Sequence, residues 1–245
     1  MSKNQKQNLL ITVLILIIVL LIGLLVYKIV EKDNNLVEEP NNKIEETELT
    51  EEESIYVLEN NVNAISHTPD GSPIITDLYK KTNTINDLSE EQKMIITLHI
   101  IPIQNKSENY SNEIPKQVFE ESYHTLFGNS VITHKDINSC PIATYDKTKE
   151  IYTLSQACGG GSPYEYLKYN YKYTKENNKY YVYQSIGIIN GELSKIEKDV
   201  NGTIYKDYEE GFQITKDNYQ DFSSYKWTFE KENNNYIFKQ VERIK

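Results

Sequence analysis

The sequence predicts an α+β protein with an N-terminal transmembrane helix, followed by helices packed on a curved antiparallel sheet. Three observations lead to this fold class. An uncharged apolar run lies near the N-terminus, helix patterns occupy residues 89–127, and aromatic residues alternate with a period of two after Val131. Helices followed by a series of antiparallel strands are typical of the α+β class.

Residues 9–26 are Leu, Ile or Val at every position except Thr12 and Gly23, and no charge lies between Lys6 and Lys28. A helix of this length, at about 1.5 Å per residue, covers roughly the hydrocarbon thickness of a bilayer. We therefore expect a transmembrane anchor at residues 9–27, after a short tail at residues 1–8. The lipid bilayer is its expected partner.

A cleaved signal peptide is the alternative interpretation of this run. Signal peptides have a shorter apolar region, of about 7–15 residues, and small residues at the cleavage site. Here the run is followed by Tyr27-Lys28-Ile29-Val30-Glu31, which favours an uncleaved anchor. Lys3, Lys6 and the terminal amine favour a cytoplasmic N-terminus, so the C-terminal domain is expected outside the cell membrane.

An acidic segment follows the predicted anchor. Residues 31–53 contain ten acidic residues, two lysines and no aromatic residue. Such a segment repels itself and buries too little apolar surface to fold. We expect a disordered tether at residues 28–53 and one extracytoplasmic α+β domain at residues 54–245, which is long enough for a core of its own.

Two helices are predicted by their end signals. Ser89-Glu90-Glu91-Gln92 has the form of a capping box, and Pro102 is expected to end the helix that begins there. Pro115 begins a second helix, which Gly128 ends. Its expected buried face is formed by Val118, Phe119, Ser122, Tyr123 and Leu126. A third, weaker helix pattern covers residues 55–65.

Three hairpins are predicted from alternating residues on both sides of a polar turn. The first joins the strands of Tyr169–Tyr173 and Tyr181–Tyr183. The second joins those of Tyr225–Phe229 and Tyr236–Phe238, and the third those of Ala143–Tyr145 and Ile151–Thr153. Asn190-Gly191 and Asn201-Gly202 are further turn signals.

Cys140 and Cys158 flank the third hairpin and are the only cysteines of the chain. An even number of cysteines suits an oxidising compartment, so a Cys140–Cys158 disulfide is expected outside the cell. A turn centred at residues 147–148 leaves Cys158 about three residues out of register, which a bulge or the Gly159–Gly161 loop would absorb. Two buried free thiols are the alternative, and no local signature marks Cys158 as a nucleophile.

Several kinds of chemistry are disfavoured by composition and spacing. The chain has 36 acidic and 26 basic residues, and only Arg243 is an arginine, so it lacks the clustered positive charge that binds nucleic acid. The Gly159–Gly161 segment lacks the spacing of a phosphate loop. His124 and His134 lack a third metal ligand near them in sequence. We expect no nucleic acid, no metal and no cofactor.

The aromatic content is the most informative feature of the domain. Fifteen of the 20 tyrosines lie between Tyr145 and Tyr236. Most belong to alternating strands, where aromatic pairs stabilise a sheet. Four fall outside the clearest alternations and are candidates for ligand-facing residues, because an exposed tyrosine suits recognition: Tyr164, Tyr166, Tyr180 and Tyr208. The alternative is an aromatic core that uses these residues as well.

The order of these features resembles that of uncharacterised, N-terminally anchored extracytoplasmic proteins of low-GC Gram-positive bacteria. The resemblance covers most of residues 75–245 and rests on the two helices, Cys140-Pro141, Ala157-Cys158-Gly159-Gly160 and the last hairpin. It implies a cystatin-like α+β roll displayed outside the cell. It implies no activity and no catalytic residue.

Two functions are compatible with these expectations. The first is a non-enzymatic, membrane-anchored binding domain whose tyrosine-rich sheet contacts a protein, a peptide or an envelope polymer. The second is an anchored cell-envelope hydrolase with a histidine or carboxylate site in the concave face of the sheet. Because one fold hosts both roles, only the geometry of a site can distinguish them. A purely structural component of an envelope assembly is a third possibility.

Overall fold

The computed structural model describes residues 46–66, 79, 81–104, 112–155 and 163–245. The predicted tail, the predicted anchor at residues 9–27, most of the tether, and Cys158 lie outside these residues. Within them, no helix combines the length and the apolar character needed to cross a bilayer.

The folded domain begins earlier than predicted. Residues 46–53, which the sequence analysis assigns to the tether, include strand β1, Thr47–Glu48, and the start of helix α1, Glu52–Ser66. β1 pairs with Lys175 and Thr174, and Leu49 is buried in the core with 3% of its surface exposed. The acidic composition does not predict this boundary, because the segment is held in place by a single buried leucine and a two-residue strand.

The other two helices are α2, Glu90–Gln104, and α3, Lys116–Phe127. The predicted capping box is confirmed: the main-chain N–H of Ser89 donates to Gln92 Oε1 at 2.8 Å, and that of Gln92 donates to Ser89 Oγ at 3.2 Å. Pro115 precedes α3 as predicted. Gly128 ends it with a φ of 72°, and its N–H donates to the His124 carbonyl.

Pro102 does not end α2, contrary to the prediction. A proline in a last turn removes one N–H donor, and only two helical residues follow it here. Ile103 packs against the core, and Gln104 Nε2 donates to Thr125 Oγ1 of α3 at 2.7 Å. These two contacts hold the last turn in helical form.

The strands form an eight-stranded and a three-stranded antiparallel sheet, which confirms the α+β prediction at that level. The main sheet has the order β1-β6-β7-β10-β11-β2, and β8 joins β7 to β9. The small sheet has the order β3-β5-β4. The remaining strands are β2 Asn83–Thr84, β3 Glu113–Pro115, β4 Ala143–Asp146, β5 Ile151–Leu154, β6 Tyr164–Glu176, β7 Lys179–Asn190, β8 Lys195–Glu197, β9 Ile204–Asp207, β10 Ser223–Glu232 and β11 Asn235–Arg243.

All three predicted hairpins are present. The turns of the first two contain Asn177 and Asn233, whose φ values of 55° and 57° lie in the left-handed region that asparagine tolerates. The third hairpin, β4–β5, belongs to the small sheet rather than to the main one. Period-two alternation predicts a strand but not the sheet to which it belongs, since a sheet is completed by distant partners.

The helices cover one side of the main sheet, which we call the helix face. Its central side chains are fully buried and meet those of the helices in one core: Val182, Trp227, Phe229, Phe238 and Val241 from the sheet, with Leu58, Met94 and Phe119 from the helices. The opposite side is the open face. Part of it is covered by a second, smaller core around Leu167, Ile189, Ile196, Ile214 and Phe222.

Candidate functional site

The four tyrosines predicted to face a ligand do not share a surface. Tyr164 and Tyr208 are exposed, by 39% and 41%. Tyr180 is buried, with its ring against that of Tyr236 at 4.9 Å, so its predicted exposure is wrong. Tyr166 is partly buried, and its ring centroid lies 5.9 Å from that of Tyr79.

Register explains why these tyrosines are separated. Tyr164 pairs with Asn190 at one end of the β6–β7 hairpin, whereas Tyr180 pairs with Lys175 near the turn at the other end. About ten residues of strand separate the two ends, or roughly 35 Å. The register therefore separates Tyr164 from Tyr180, and Tyr166 and Tyr180 pack against other rings of the described domain.

An uncharged groove lies between the three helices and the β10–β11 turn. Its volume is about 480 Å³, within the range typical of small-molecule sites. Among the residues that the structure describes, none of its lining side chains is charged, although a quarter of the chain's residues are. The lining comprises Tyr56, Val57, Asn60 and Asn61 of α1, Ile100, Ile103 and Gln104 of α2, Thr125 of α3, and Asn234, Asn235 and Tyr236.

Hydrogen bonds fix the walls of this groove. Asn61 Nδ2 donates to the Tyr236 carbonyl oxygen at 3.3 Å, and the Tyr236 hydroxyl donates to Ser54 Oγ at 2.7 Å, so α1 is tied to β11 at two points. The Gln104–Thr125 hydrogen bond joins α2 to α3 on the other side. The groove is thus held open by the fold and does not depend on a ligand for its shape.

Sequence reasoning misses this groove. Asparagine is abundant along the whole chain, so Asn60 and Asn61 carry no special signal. Asn234 and Asn235 fall in a predicted turn, where asparagine is expected for its backbone preference. Only the packing of α1 against β11 brings these carboxamides together.

A second cavity, of about 430 Å³, lies on the open face and is rich in charge. Lys179, Lys226 and Lys239 line it together with Glu230 and Glu242. Lys239 forms ion pairs with Glu230 and Glu232, both at 3.1 Å. The charges of this surface are therefore largely paired within the protein.

Glu46 holds the N-terminal segment to this open face. Its carboxylate accepts hydrogen bonds from Lys226 Nζ at 2.5 Å, from the Tyr183 hydroxyl at 2.5 Å and from Thr174 Oγ1 at 2.7 Å. Partial burial alone would raise the pKa of Glu46. The three hydrogen bonds and the positive charge of Lys226 outweigh burial and lower that pKa to about 2.

His134 belongs to a polar cluster with Tyr152 and Glu120. Its Nδ1 lies 2.8 Å from the Tyr152 hydroxyl, and its Nε2 lies 2.9 Å from Glu120 Oε1. Burial raises the pKa of Tyr152, whose side chain is fully enclosed. Both ring nitrogens are therefore engaged, and the Tyr152 hydroxyl is out of reach of a substrate.

No metal site is formed by the described part of the chain. It contains no group of three or more His, Cys, Asp or Glu residues that could hold a metal ion. His124 Nε2 lies 3.3 Å from the Ser130 carbonyl oxygen, whereas His134 is bound to Glu120 and Tyr152.

Lys168 is a partly buried lysine of the main sheet. Lys168, in β6, is paired with Ile186 of the helix face, and its loss of hydration lowers its pKa to about 8. A lysine with a pKa near neutrality is a candidate nucleophile. It does not line the uncharged groove.

The predicted Cys140–Cys158 disulfide stays a prediction, because Cys158 lies outside the described residues. The register around it differs from the expected one. Ala143 pairs with Leu154, and the Ser155 N–H donates to the Ile142 carbonyl oxygen at 3.0 Å. Cys140 itself lies in the turn between Ile137 and Ala143, whose main-chain groups are hydrogen-bonded to each other.

Compared with protein-family models, with curated proteins and with solved structures, the chain matches none of them.

Proposed function

We propose that this chain is a membrane-anchored, extracytoplasmic binding domain without enzymatic activity, and that the uncharged groove holds an electrically neutral, polar ligand. The observation that carries the proposal is the groove itself: an open volume of about 480 Å³ with a polar and apolar lining and no charged side chain. Charged ligands need paired charges when they lose water. A neutral ligand that offers hydrogen bonds does not.

The remaining parts of the proposal rest on the sequence and on the fold class. The apolar run at residues 9–26 supports the anchor, and Lys3 and Lys6 support an outside domain. We also propose that the fold is a cystatin-like roll. Three helices on one face of an antiparallel sheet support it, and β-bulges at Asn170/Lys172 and Thr228/Phe229 supply the bending that a roll needs.

A cosedimentation experiment tests this function. The full chain, held in phosphatidylcholine nanodiscs, is mixed with insoluble envelope polymer isolated from the producing cells. We expect it to sediment with the polymer equally well at 0.05 and 0.5 M salt, since screening weakens only interactions between charges. Filling the groove by Thr125→Trp should abolish this sedimentation. Binding that disappears at high salt, or that survives Thr125→Trp in a folded variant, would contradict the proposal.

An anchored hydrolase is the second candidate, and the Glu120–His134 hydrogen bond is the observation that favours it. A carboxylate that orients an imidazole is a common part of hydrolytic sites. This pair lies on α3 and on the segment after it, and neither residue belongs to a strand of the main sheet. Release of soluble fragments from the polymer by the wild type, and not by His134→Gln, would favour the hydrolase over the binding domain.

A further inference from the structure

We infer that the ligand of the uncharged groove is a neutral oligosaccharide. This inference rests on the proposed function and names its ligand class. Three features of the groove lead to it: its carboxamide side chains, an exposed tyrosine at its rim and the main-chain hydrogen bonding of the neighbouring strand β11.

The carboxamides give the groove an unusual hydrogen-bonding capacity. Each offers two N–H donors and one carbonyl acceptor. Among the residues that the structure describes, Asn61 and Gln104 are already bonded to the protein, whereas the side chains of Asn60, Asn234 and Asn235 form no hydrogen bond with it. Groups that both donate and accept match sugar hydroxyls, which also do both.

The apolar part of the lining suits the apolar face of a sugar ring. Tyr56 is 43% exposed, and Ile100 and Ile103 of α2 also line the groove. A pyranose presents C–H groups on its faces and hydroxyls at its edges. An exposed aromatic ring provides a large apolar contact for such a face at low cost in conformational entropy.

The edge of the sheet beside the groove disfavours an extended peptide as the occupant. A peptide that adds to a sheet does so through the free N–H and carbonyl groups of an edge strand. At Tyr236 the outward carbonyl of β11 already accepts the hydrogen bond of Asn61 Nδ2. One main-chain acceptor at this end of β11 is therefore occupied, and at Gln240 and Val241 the same strand is already paired with β2.

Isothermal titration with three uncharged probes tests the inference. The probes are a tetrasaccharide of N-acetylglucosamine, a tetrasaccharide of glucose and an end-blocked hexapeptide of uncharged residues. They are titrated into the full chain in phosphatidylcholine nanodiscs, which avoids detergents with sugar headgroups. We expect at least one tetrasaccharide to bind and the peptide not to bind.

Variants connect the binding to the groove. Asn60→Ala and Tyr56→Ala should each weaken tetrasaccharide binding by about five- to tenfold, the loss of one hydrogen bond or one ring contact. Asn63→Ala is the matched control, because Asn63 is an exposed asparagine of the same helix that does not line the groove. It should leave the Kd unchanged. Unaltered circular dichroism and thermal unfolding would show that each variant is folded.

The remaining outcomes separate the inference from the function on which it rests. Peptide binding that is sensitive to Asn60→Ala, without tetrasaccharide binding, would overturn the oligosaccharide and leave the groove as the binding site. Tetrasaccharide binding that is equal in all variants would overturn the groove itself. No binding of either tetrasaccharide would overturn the inference, and the cosedimentation result would then decide the function independently.

Discussion

Tyrosine hydroxyls in this domain bind carboxylates. Five such pairs occur among the described residues: Tyr123 with Glu90, Tyr173 with Glu59, Tyr181 with Glu176, Tyr183 with Glu46 and Tyr205 with Asp221. Burial raises the pKa of each tyrosine, and the carboxylate raises it further in all five, to about 12 for Tyr181. The pairs give these five tyrosines a structural role, and none of the five is among the four that the sequence suggested for ligand binding.

Glu46 makes the stability of the domain depend on pH. Its pKa in the fold is about 2, below the ordinary value of 4.5. A group whose pKa is lower in the folded state contributes its full stabilisation of the fold at pH values above its unfolded pKa. This contribution is lost as the pH falls through the folded pKa. We expect Glu46→Gln to cost about 2 kcal/mol at pH 6, and the difference from wild type to shrink as the pH falls from 5 to 2.

Urea unfolding at several pH values measures this effect. Glu48→Gln is the matched control, since Glu48 is an exposed glutamate of the same segment. It should change little at any pH. A Glu46→Gln difference that is constant from pH 6 to pH 2 would contradict the assigned pKa.

Tyr152 stabilises the loop after α3 through its hydroxyl group. Tyr152→Phe removes the hydrogen bond to His134 and should lower the free energy of unfolding by about 1 kcal/mol. Tyr145→Phe is its control, because in the described structure the ring of Tyr145 stacks on His134 and its hydroxyl forms no hydrogen bond. Equal losses for the two variants, measured by urea unfolding, would show that the His134–Tyr152 hydrogen bond contributes nothing.

At the scale of elements, local signals decided the helices and tertiary contacts decided several strands. Ser89, Gln92, Pro115 and Gly128 act within a few residues, so the ends of helices that they mark were largely predictable. β1 and β2 have two residues each, and their pairing partners lie far away in the sequence. No pattern of two residues can predict a strand, because alternation needs a longer run.

The smaller core around Phe222 covers part of the open face, and Gly187 allows the Phe222 ring to lie close to the sheet. A Cβ at this position would lie 2.8 Å from Cδ1 and Cε1 of the Phe222 ring. We expect Gly187→Ala to lower the free energy of unfolding by about 1–3 kcal/mol through overpacking. In a Phe222→Leu background, where the ring is absent, the same change should cost less than half as much. An equal cost in both backgrounds would contradict this contact, and thermal unfolding of the four proteins measures it.

For the whole molecule, the largest prediction from sequence is its arrangement across a membrane. The apolar run, the acidic tether and the two cysteines each point to an anchored domain outside the cell. The described fold starts at Glu46, so the predicted tether extends at most from residue 28 to residue 45.

Thiol labelling of intact cells tests this arrangement. If the two cysteines are bonded outside the cell as predicted, a membrane-impermeant maleimide will label Cys140 and Cys158 only after treatment with an impermeant reductant. Labelling without reductant, and only after the membrane is opened, would place free thiols in the cytosol. That result would contradict both the predicted disulfide and the outside domain.

The sequence by itself determined the features that depend on neighbouring residues. These are the apolar run, the helix end signals, the three hairpins and the α+β class, because hydrogen bonds within a helix or across a tight turn join residues close in sequence. It could not identify the site. Asn60, Gln104 and Asn234 lie on three different elements, and only the packing of α1 and α2 against β11 brings them around one groove.

The tertiary structure likewise decided the roles of the tyrosines. Tyr164 and Tyr180 have the same chemistry and similar polar neighbours in sequence, yet one is exposed and the other is buried against Tyr236. The difference arises because burial depends on which elements cover a face of the sheet. That coverage is set by contacts between residues far apart in the chain, and the period of a single strand carries no information about it.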